Sequence, residues 1–353
     1  MKTNILRALK QIEREKGIGK EALSEALQTA MLSAYRKKFG GNQNIRIEID
    51  WHTGNIHIYS VKEVVESVSD PRVEIGLEDA RRLGYNVIVG DTVEMEVTPK
   101  DFGRIAAQTA RQVIVQKLQE AEKESIYEEF VNFKGEVISG RIHRFENRNI
   151  IVLMGRAEAI LPPREQILTE VYKVGEYFKF YVVDVRKTPK GPKIIVSRTH
   201  PGLIRGLFEM EVPEIQDGIV EIRGIVREPG FRAKVAVTSL NKDVEPIGAC
   251  VGNKGSRITS VINELRGEKI DVILWSKDPG EYVANALSPA KVERVEVIEE
   301  EHTVMVYVDK GQISLAIGKD GQNARLAARL TGWKVDIKPC EAEENGENSV
   351  DEG

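Results

Sequence analysis

Apolar positions along the chain change their spacing repeatedly, and each change marks a different kind of element. In the first forty residues they recur at helical intervals. Ile5, Leu9 and Ile12 share one face, and Leu23, Ala26, Leu27, Ala30 and Ala34 share another. Gly40-Gly41 stops the second helix. Ile45, Ile47 and Ile49 then alternate with polar residues, as do Ile56 and Ile58 after Thr53-Gly54-Asn55, which predicts a hairpin. A short helix over Leu77–Leu83 and a strand over Thr92–Val97 follow. From Gly103 to Phe133 the helical period returns, with Ala106, Ala110, Val113, Ile114, Leu118 and Ala121 on one stripe. About thirty residues at 1.5 Å each span roughly 45 Å, so this helix is expected to connect domains as well as to pack in one. Its charged stretch Glu120–Glu129 reads as a solvated face.

After Gly135 the pattern becomes one of short strands: Glu136–Ile142, Ile150–Leu153, Ala157–Leu161, Tyr177–Val185 and Ile194–Ser197. Five strands in about 65 residues, with Gly and Pro at the turns, predict a small closed barrel of the OB kind. Beyond Pro201-Gly202 helices and strands mix as far as Pro339.

That last region repeats itself. Two GxxG tetrads occur, Gly252-Asn253-Lys254-Gly255 and Gly318-Lys319-Asp320-Gly321. Alone they carry nothing, because 30 Gly in 353 residues give roughly 2.5 such spacings by chance. Their flanks match, however. Each follows a small-apolar run, precedes a helical stretch (Ser256–Leu265, Gln322–Leu330) and leads to a strand opened by Gly267 or Gly332. Upstream, Pro201-Gly202 and Pro279-Gly280 each open a helix, and paired strands follow in both copies. The unit of helix, two strands, helix, GxxG, helix and strand therefore appears twice. It resembles tandem KH domains, whose GxxG loop clamps the backbone of about four nucleotides.

The chemistry of the resemblance is plain. Glycine removes the Cβ that would hold a peptide away from phosphate, and the following helix offers free N–H groups and a positive dipole end. Lys254, Arg257, Lys319 and Arg325 are the cations expected near the same phosphates, with Gly252, Asn253, Gly255, Gly318, Asp320 and Gly321 forming the loops. A glycine turn between packed helices explains one copy, but two copies with matched flanks favour the clamp. The run GACVGNKGS at 248–256 superficially resembles a phosphate loop, yet Lys254 is followed by Gly255 and the GxxxxGK[ST] spacing is not met.

Charge locates a second candidate surface. The chain sums to −4, but residues Lys134 to His200 carry 13 Lys/Arg against 7 Asp/Glu, while the last 13 residues hold six acidic groups and no basic one. The barrel segment is thus where a polyanion would bind. Gly135–Ile142 resembles the first strand of the OB domain named after ribosomal protein S1. His143, Arg144, Phe145 and Arg148 would occupy its binding face, where bases stack on aromatics in a basic groove. Many relatives carry a second aromatic nearby, and here Asn149-Ile150-Ile151 stands instead, so Phe145 reads equally as a stacking ring and as barrel packing.

An S1-type barrel followed by two KH units, behind a mixed N-terminal domain and a long helix, resembles the bacterial NusA family of transcription elongation factors. Its more specific stretches are Asp101–Ala110, Arg198–Pro201, Phe208–Ile215 and Val244–Gly252. The resemblance implies a multidomain α+β chain: residues 1–132 an N-terminal RNA-polymerase-binding domain, 133–200 an S1-type OB domain, 201–276 and 277–340 two KH domains, and 341–353 an acidic tail without a fold. It implies an RNA-binding factor that binds RNA polymerase and nascent single-stranded RNA and modulates pausing, termination and antitermination, with other transcription factors as further partners. No enzyme activity, cofactor or metal is expected, and a cytoplasmic monomer is. Cys250 and Cys340 are far apart, the five histidines lack close metal-ligand spacing, and no stretch has the apolar length of a membrane helix. Two other classes stay open on these residues: a ribosome-assembly factor, and an accessory subunit of an RNA-degrading enzyme. Exoribonucleases with KH and S1-type domains carry catalytic domains of several hundred residues, for which 132 residues are too few.

Overall fold

The computed structural model describes residues 20–40, 44–51 and 53–340. The expected first helix (Ile5, Leu9, Ile12) and the acidic tail lie outside the described residues. The chain divides into two compact units, residues 1–125 and 126–353.

In the first unit, α1 (Lys20–Phe39) packs on strands β1 (Ile45–Ile49) and β2 (Ile56–Val65). Its buried stripe is Leu23, Leu27, Met31 and Tyr35, stepping by four, with Ala26, Ala30 and Ala34 half-buried at its side. The sequence pattern favoured the alanines, but the larger side chains remove more apolar surface from water and take the core positions. β1 and β2 are antiparallel with Ile47 opposite Ile58. β2 also pairs in parallel with β3 (Glu74–Gly76), which leads straight into α2 (Leu77–Arg82), and antiparallel with β4 (Thr92–Glu96). The thirty-residue helix α3 (Phe102–Val131) contributes Phe102, Ala106, Ala110 and Ile114 to the first unit's core, while Phe130 near its end belongs to the core of the second. Leu118, expected on the buried stripe, is exposed, since the apolar stripe ends at Ile114.

The second unit opens with a closed five-stranded barrel, β5 (Val137–Glu146), β6 (Asn149–Met154), β7 (Ala157–Leu161), β8 (Tyr177–Thr188) and β9 (Gly191–Ser197), in the order β5-β6-β7-β9-β8. Inward residues such as Ile142, Val152, Phe180 and Val196 fill it. Two αββααβ units follow. The first comprises α4 (Pro201–Glu211), a short turn α5 (Pro213–Gln216), β10 (Val220–Glu228), β11 (Arg232–Ser239), α6 (Pro246–Val251), α7 (Ser256–Glu264) and β12 (Lys269–Leu274). The second comprises α8 (Pro279–Ala286), β13 (Arg294–Ile298), β14 (Thr303–Val308), α9 (Ile313–Ile317), α10 (Gln322–Thr331) and β15 (Lys334–Pro339). In each copy the central strand is antiparallel to the first and parallel to the last.

Within this unit the parts are joined by buried contacts. Glycines in α4 let it lie directly on the barrel: a Cβ at Gly202 would stand 2.3 Å from the Tyr181 ring, and one at Gly206 2.4 Å from Val137. Arg198, fully buried at the end of β9, donates to Glu170 in the barrel and, at 2.9 Å, to Glu264 at the end of α7. Arg227 holds buried Glu268 at 2.6 Å and also donates to the backbone carbonyl of Arg198. The two repeats are joined likewise. Ile273 of the first repeat sits in the core of the second, and buried Lys234 donates at 2.9 Å both to Asp271 and to the carbonyl of Ser288.

Candidate nucleic-acid interface

The two GxxG loops have the same backbone. Gly252 lies at φ 75, ψ 174 and Gly318 at φ 75, ψ 170. The third positions, Lys254 and Asp320, are left-handed at φ 52 and 53, and the closing Gly255 and Gly321 at φ 78 and 73. Glycine is needed at the first position for conformation and for space. A Cβ on Gly252 would stand 2.8 Å from Cγ of Arg257, and one on Gly318 2.8 Å from the backbone N of Asn323.

Each loop ends at a helix start with no side-chain cap. Gly255 precedes α7 and Gly321 precedes α10, and neither helix start donates a cap hydrogen bond to the side chain of its N-cap residue. Most helices fill this place with Ser, Thr, Asp or Asn, because four N–H groups there lack internal partners. The first N–H of each helix, on Ser256 and Gln322, already donates to the carbonyl of Asn253 or Lys319, and the two helix starts behind these matching turns offer their positive dipole ends to an external anion.

The cations predicted near the loops are placed unequally. Lys254 and Lys319 are exposed. Because the tetrads read GNKG and GKDG, the first loop carries its lysine at the third position and the second at the second, with Asp320 after it. Arg257 is half-buried and already engaged: its guanidinium donates to Glu214 at 2.8 Å and to the carbonyl of Ala249 at 2.6 Å. Arg325 donates to Glu228 of the first repeat at 2.7 Å and to the carbonyl of Asp320 at 3.1 Å. Gln322 donates to the other oxygen of Glu228 at 2.8 Å. The Arg325 hydrogen bond holds the Glu228 carboxyl below the usual carboxylate range. Both arginines therefore sit beside the loops but act first as struts, Arg257 within its repeat and Arg325 between repeats. In the position matching Arg257, the second repeat has buried Asn323, which donates to the carbonyls of Leu287 and Ala316.

On the barrel, a bulge in β5 between Ile142 and Arg144 separates the two halves of the strand. Phe145 is 54% exposed, so it does not pack in the barrel core. Arg144 donates to Glu158 at 2.9 Å, and the His143 ring lies 3.8 Å from the same carboxylate. The Arg144 hydrogen bond lowers the Glu158 pKa. Arg148 lies in the left-handed turn at φ 66, exposed, with its carbonyl accepting from Gln166. The four residues are thus grouped at one end of β5, with part of their positive charge already balanced by Glu158.

Sequence reasoning missed one exposed ring. Tyr177, at the start of β8, is 70% exposed and lies opposite Arg141 of β5. The signal was available in the alternation of β8, where the odd positions from Tyr177 to Tyr181 point outward from the barrel. Among the described residues no group of His, Cys, Asp and Glu could hold a metal ion, and no helix is long and apolar enough to cross a membrane.

Comparison with known proteins agrees with this geometry. The NusA N-terminal domain family matches residues 4–124, the NusA-like first KH domain family residues 198–275, and the NusA-like second KH domain family residues 279–345. Proteins named transcription termination/antitermination protein NusA are similar over nearly the whole chain. That of Halalkalibacterium halodurans is 52% identical, covering 98% of this chain and 91% of its own. That of Bacillus subtilis is 52% identical, covering 96% and 91%. That of Thermus thermophilus is 44% identical, covering 97% and 91%.

Proposed function

The chain belongs to the NusA family, and from that premise we propose how its parts divide the work of a transcription termination/antitermination factor. It is an RNA-binding regulator of transcript elongation, not an enzyme. Residues 201–340 clamp nascent single-stranded RNA by its backbone at the two GxxG loops. The barrel, residues 133–200, adds contacts through His143, Arg144, Phe145 and Arg148, and residues 1–132 bind RNA polymerase. Holding the transcript while seated on the polymerase biases whether the RNA folds, slides or is released, which is the physical content of modulating pausing and termination.

The observation that carries this reading is the pair of uncapped helix starts behind two GxxG turns of the same backbone. Loops that clamp backbone distinguish RNA from protein ligands but read little sequence. Lys254 and Lys319 supply the charge, and Arg257 and Arg325 keep each loop in place.

Charge reversal tests it. Replacing Asn253, Lys254 and Lys319 together with Asp puts carboxylates where phosphates would lie, on exposed positions that no core contact uses. Affinity for single-stranded RNA is expected to fall at least about tenfold, or ~1.4 kcal/mol, with an unchanged circular dichroism melt. Equal affinity with an equal melt would remove the clamp assignment.

A further inference from the structure

The outward face of the barrel where it meets the first KH unit consists of three cross-strand rows. Val137 lies opposite Tyr181, Ser139 opposite Lys179, and Arg141 opposite Tyr177. The first row is covered. Val137 and Tyr181 pack against the α4 glycines, and the Tyr181 ring stacks on His200 with centroids 4.2 Å apart and planes within 4°. The second row forms the rim of the junction. The backbone N–H of Lys179 donates to Glu264 at 2.9 Å, and its side chain lines an open cavity of about 430 Å³ with Ser260, Asn263 and Arg266. The third row is open. Tyr177 is 70% exposed, and its ring has no aromatic or cationic neighbour among the described residues. Arg141 is exposed and makes no ion pair with a described residue.

Two cations stand near this row. Arg141 is across the ladder. Arg266, in a left-handed conformation at φ 56 just after α7, lies over the neighbouring Phe178 ring at 4.8 Å, and its nearest acid is Glu176 at 3.9 Å. A flat, exposed ring with a guanidinium opposite it across the ladder is an arrangement that takes an unpaired base by stacking and its phosphate by charge.

The location adds reach. The nine residues of α7 (Ser256–Glu264) run from the first GxxG loop to the contact with Lys179, about 13 Å. Tyr177 is two strand residues further, about 7 Å. A single strand clamped at Gly252–Gly255 can therefore pass along α7 to this row.

We propose that Tyr177, with Arg141 opposite it across the ladder, is a base-stacking site for single-stranded RNA at the junction of the barrel and the first KH unit, separate from the group around Phe145. This rests on the RNA-binding reading above.

Binding of the full chain to two single-stranded RNAs tests it: one of about four nucleotides, the length one KH clamp holds, and one of about 16, which reaches an OB barrel as well. Tyr177→Ala should weaken the longer RNA about tenfold and leave the shorter unchanged. Tyr177→Phe, which keeps the ring, should restore wild-type affinity, a result that a lost hydroxyl contact or a folding defect would not give. Arg141→Gln should weaken the longer RNA severalfold and flatten its salt dependence by about 0.7 in log–log slope. Photo-cross-linking of the longer RNA carrying 4-thiouridine should mark the peptide containing Tyr177. If Tyr177→Ala binds the longer RNA as tightly as wild type while the triple GxxG variant loses it, the stacking site is wrong and the clamp reading stands. If the GxxG variant also binds normally, both are wrong.

Discussion

Lys254 and Asp320 occupy one backbone position in the two repeats, and that position decides which side chains it tolerates. At φ 52–53 an L-residue with a Cβ pays a steric cost that Asn and Asp reduce by local hydrogen bonding. Asp320 is thus acceptable as structure, and it puts an exposed carboxylate in a loop proposed to hold phosphate. The second loop is in this account the weaker clamp, with Lys319 offset by Asp320. Asp320→Asn keeps the left-handed tolerance and removes the charge, so single-stranded RNA should bind severalfold tighter with an unaltered melt. Fluorescence anisotropy with labelled RNA measures this, and weaker or equal binding would count against phosphate at that loop. The glycines and loop lysines of the site were legible because the tetrads repeat with matched flanks. The working partners of Arg257 and Arg325 were not. Glu214 and Glu228 lie 43 and 97 residues away in sequence, and no spacing rule connects residues that only tertiary packing brings together.

At the scale of elements, alternation and helical period located nearly every strand and helix of the second unit, since each buries one face on a core of its own. The same signals passed over β3, which is three residues long, and α5, which is four. Neither completes a period. Periodicity also gave no hint of the junctions. Arg198, Arg227 and Lys234 carry charges that no period of the sequence places inside, yet all are buried between elements, each satisfied by a carboxylate from another strand, helix or loop. Burial pushes the Lys234 ammonium below its ordinary pKa, so its pairing with Asp271 is what allows it to remain charged there. Asp271 also accepts from Arg232 at 2.8 Å. Asp271→Asn would leave Lys234 buried beside Arg232 without a counter-charge, at a cost of about 3–5 kcal/mol. Lys234→Met leaves Asp271 still paired with Arg232 and should cost about 1 kcal/mol or less. Urea melts of the two variants check the order, and equal losses would mean that the buried Lys234 ammonium does not depend on its counter-charge.

For the whole molecule, positive charge is concentrated in the barrel segment rather than spread over the second unit. Residues 1–133 sum to −2 and contain no GxxG, whereas the barrel segment from Lys134 to His200 sums to +6. The N-terminal unit has a core of its own, built on Leu27, Met31, Ile58 and Phe102, so it can act as a separate binding module. The cores of the barrel and the two repeats are linked through α4 and Ile273, which fits a continuous path for one strand of RNA. The most direct test of this account compares residues 1–132 with residues 133–353 by co-migration with RNA polymerase on size exclusion and by RNA gel shift. The first fragment should travel with polymerase and shift RNA poorly. The second should shift single-stranded RNA and, without RNA present, fail to travel with polymerase. A second fragment that co-migrates with polymerase as well as the intact chain does, in the absence of RNA, would contradict the division of labour.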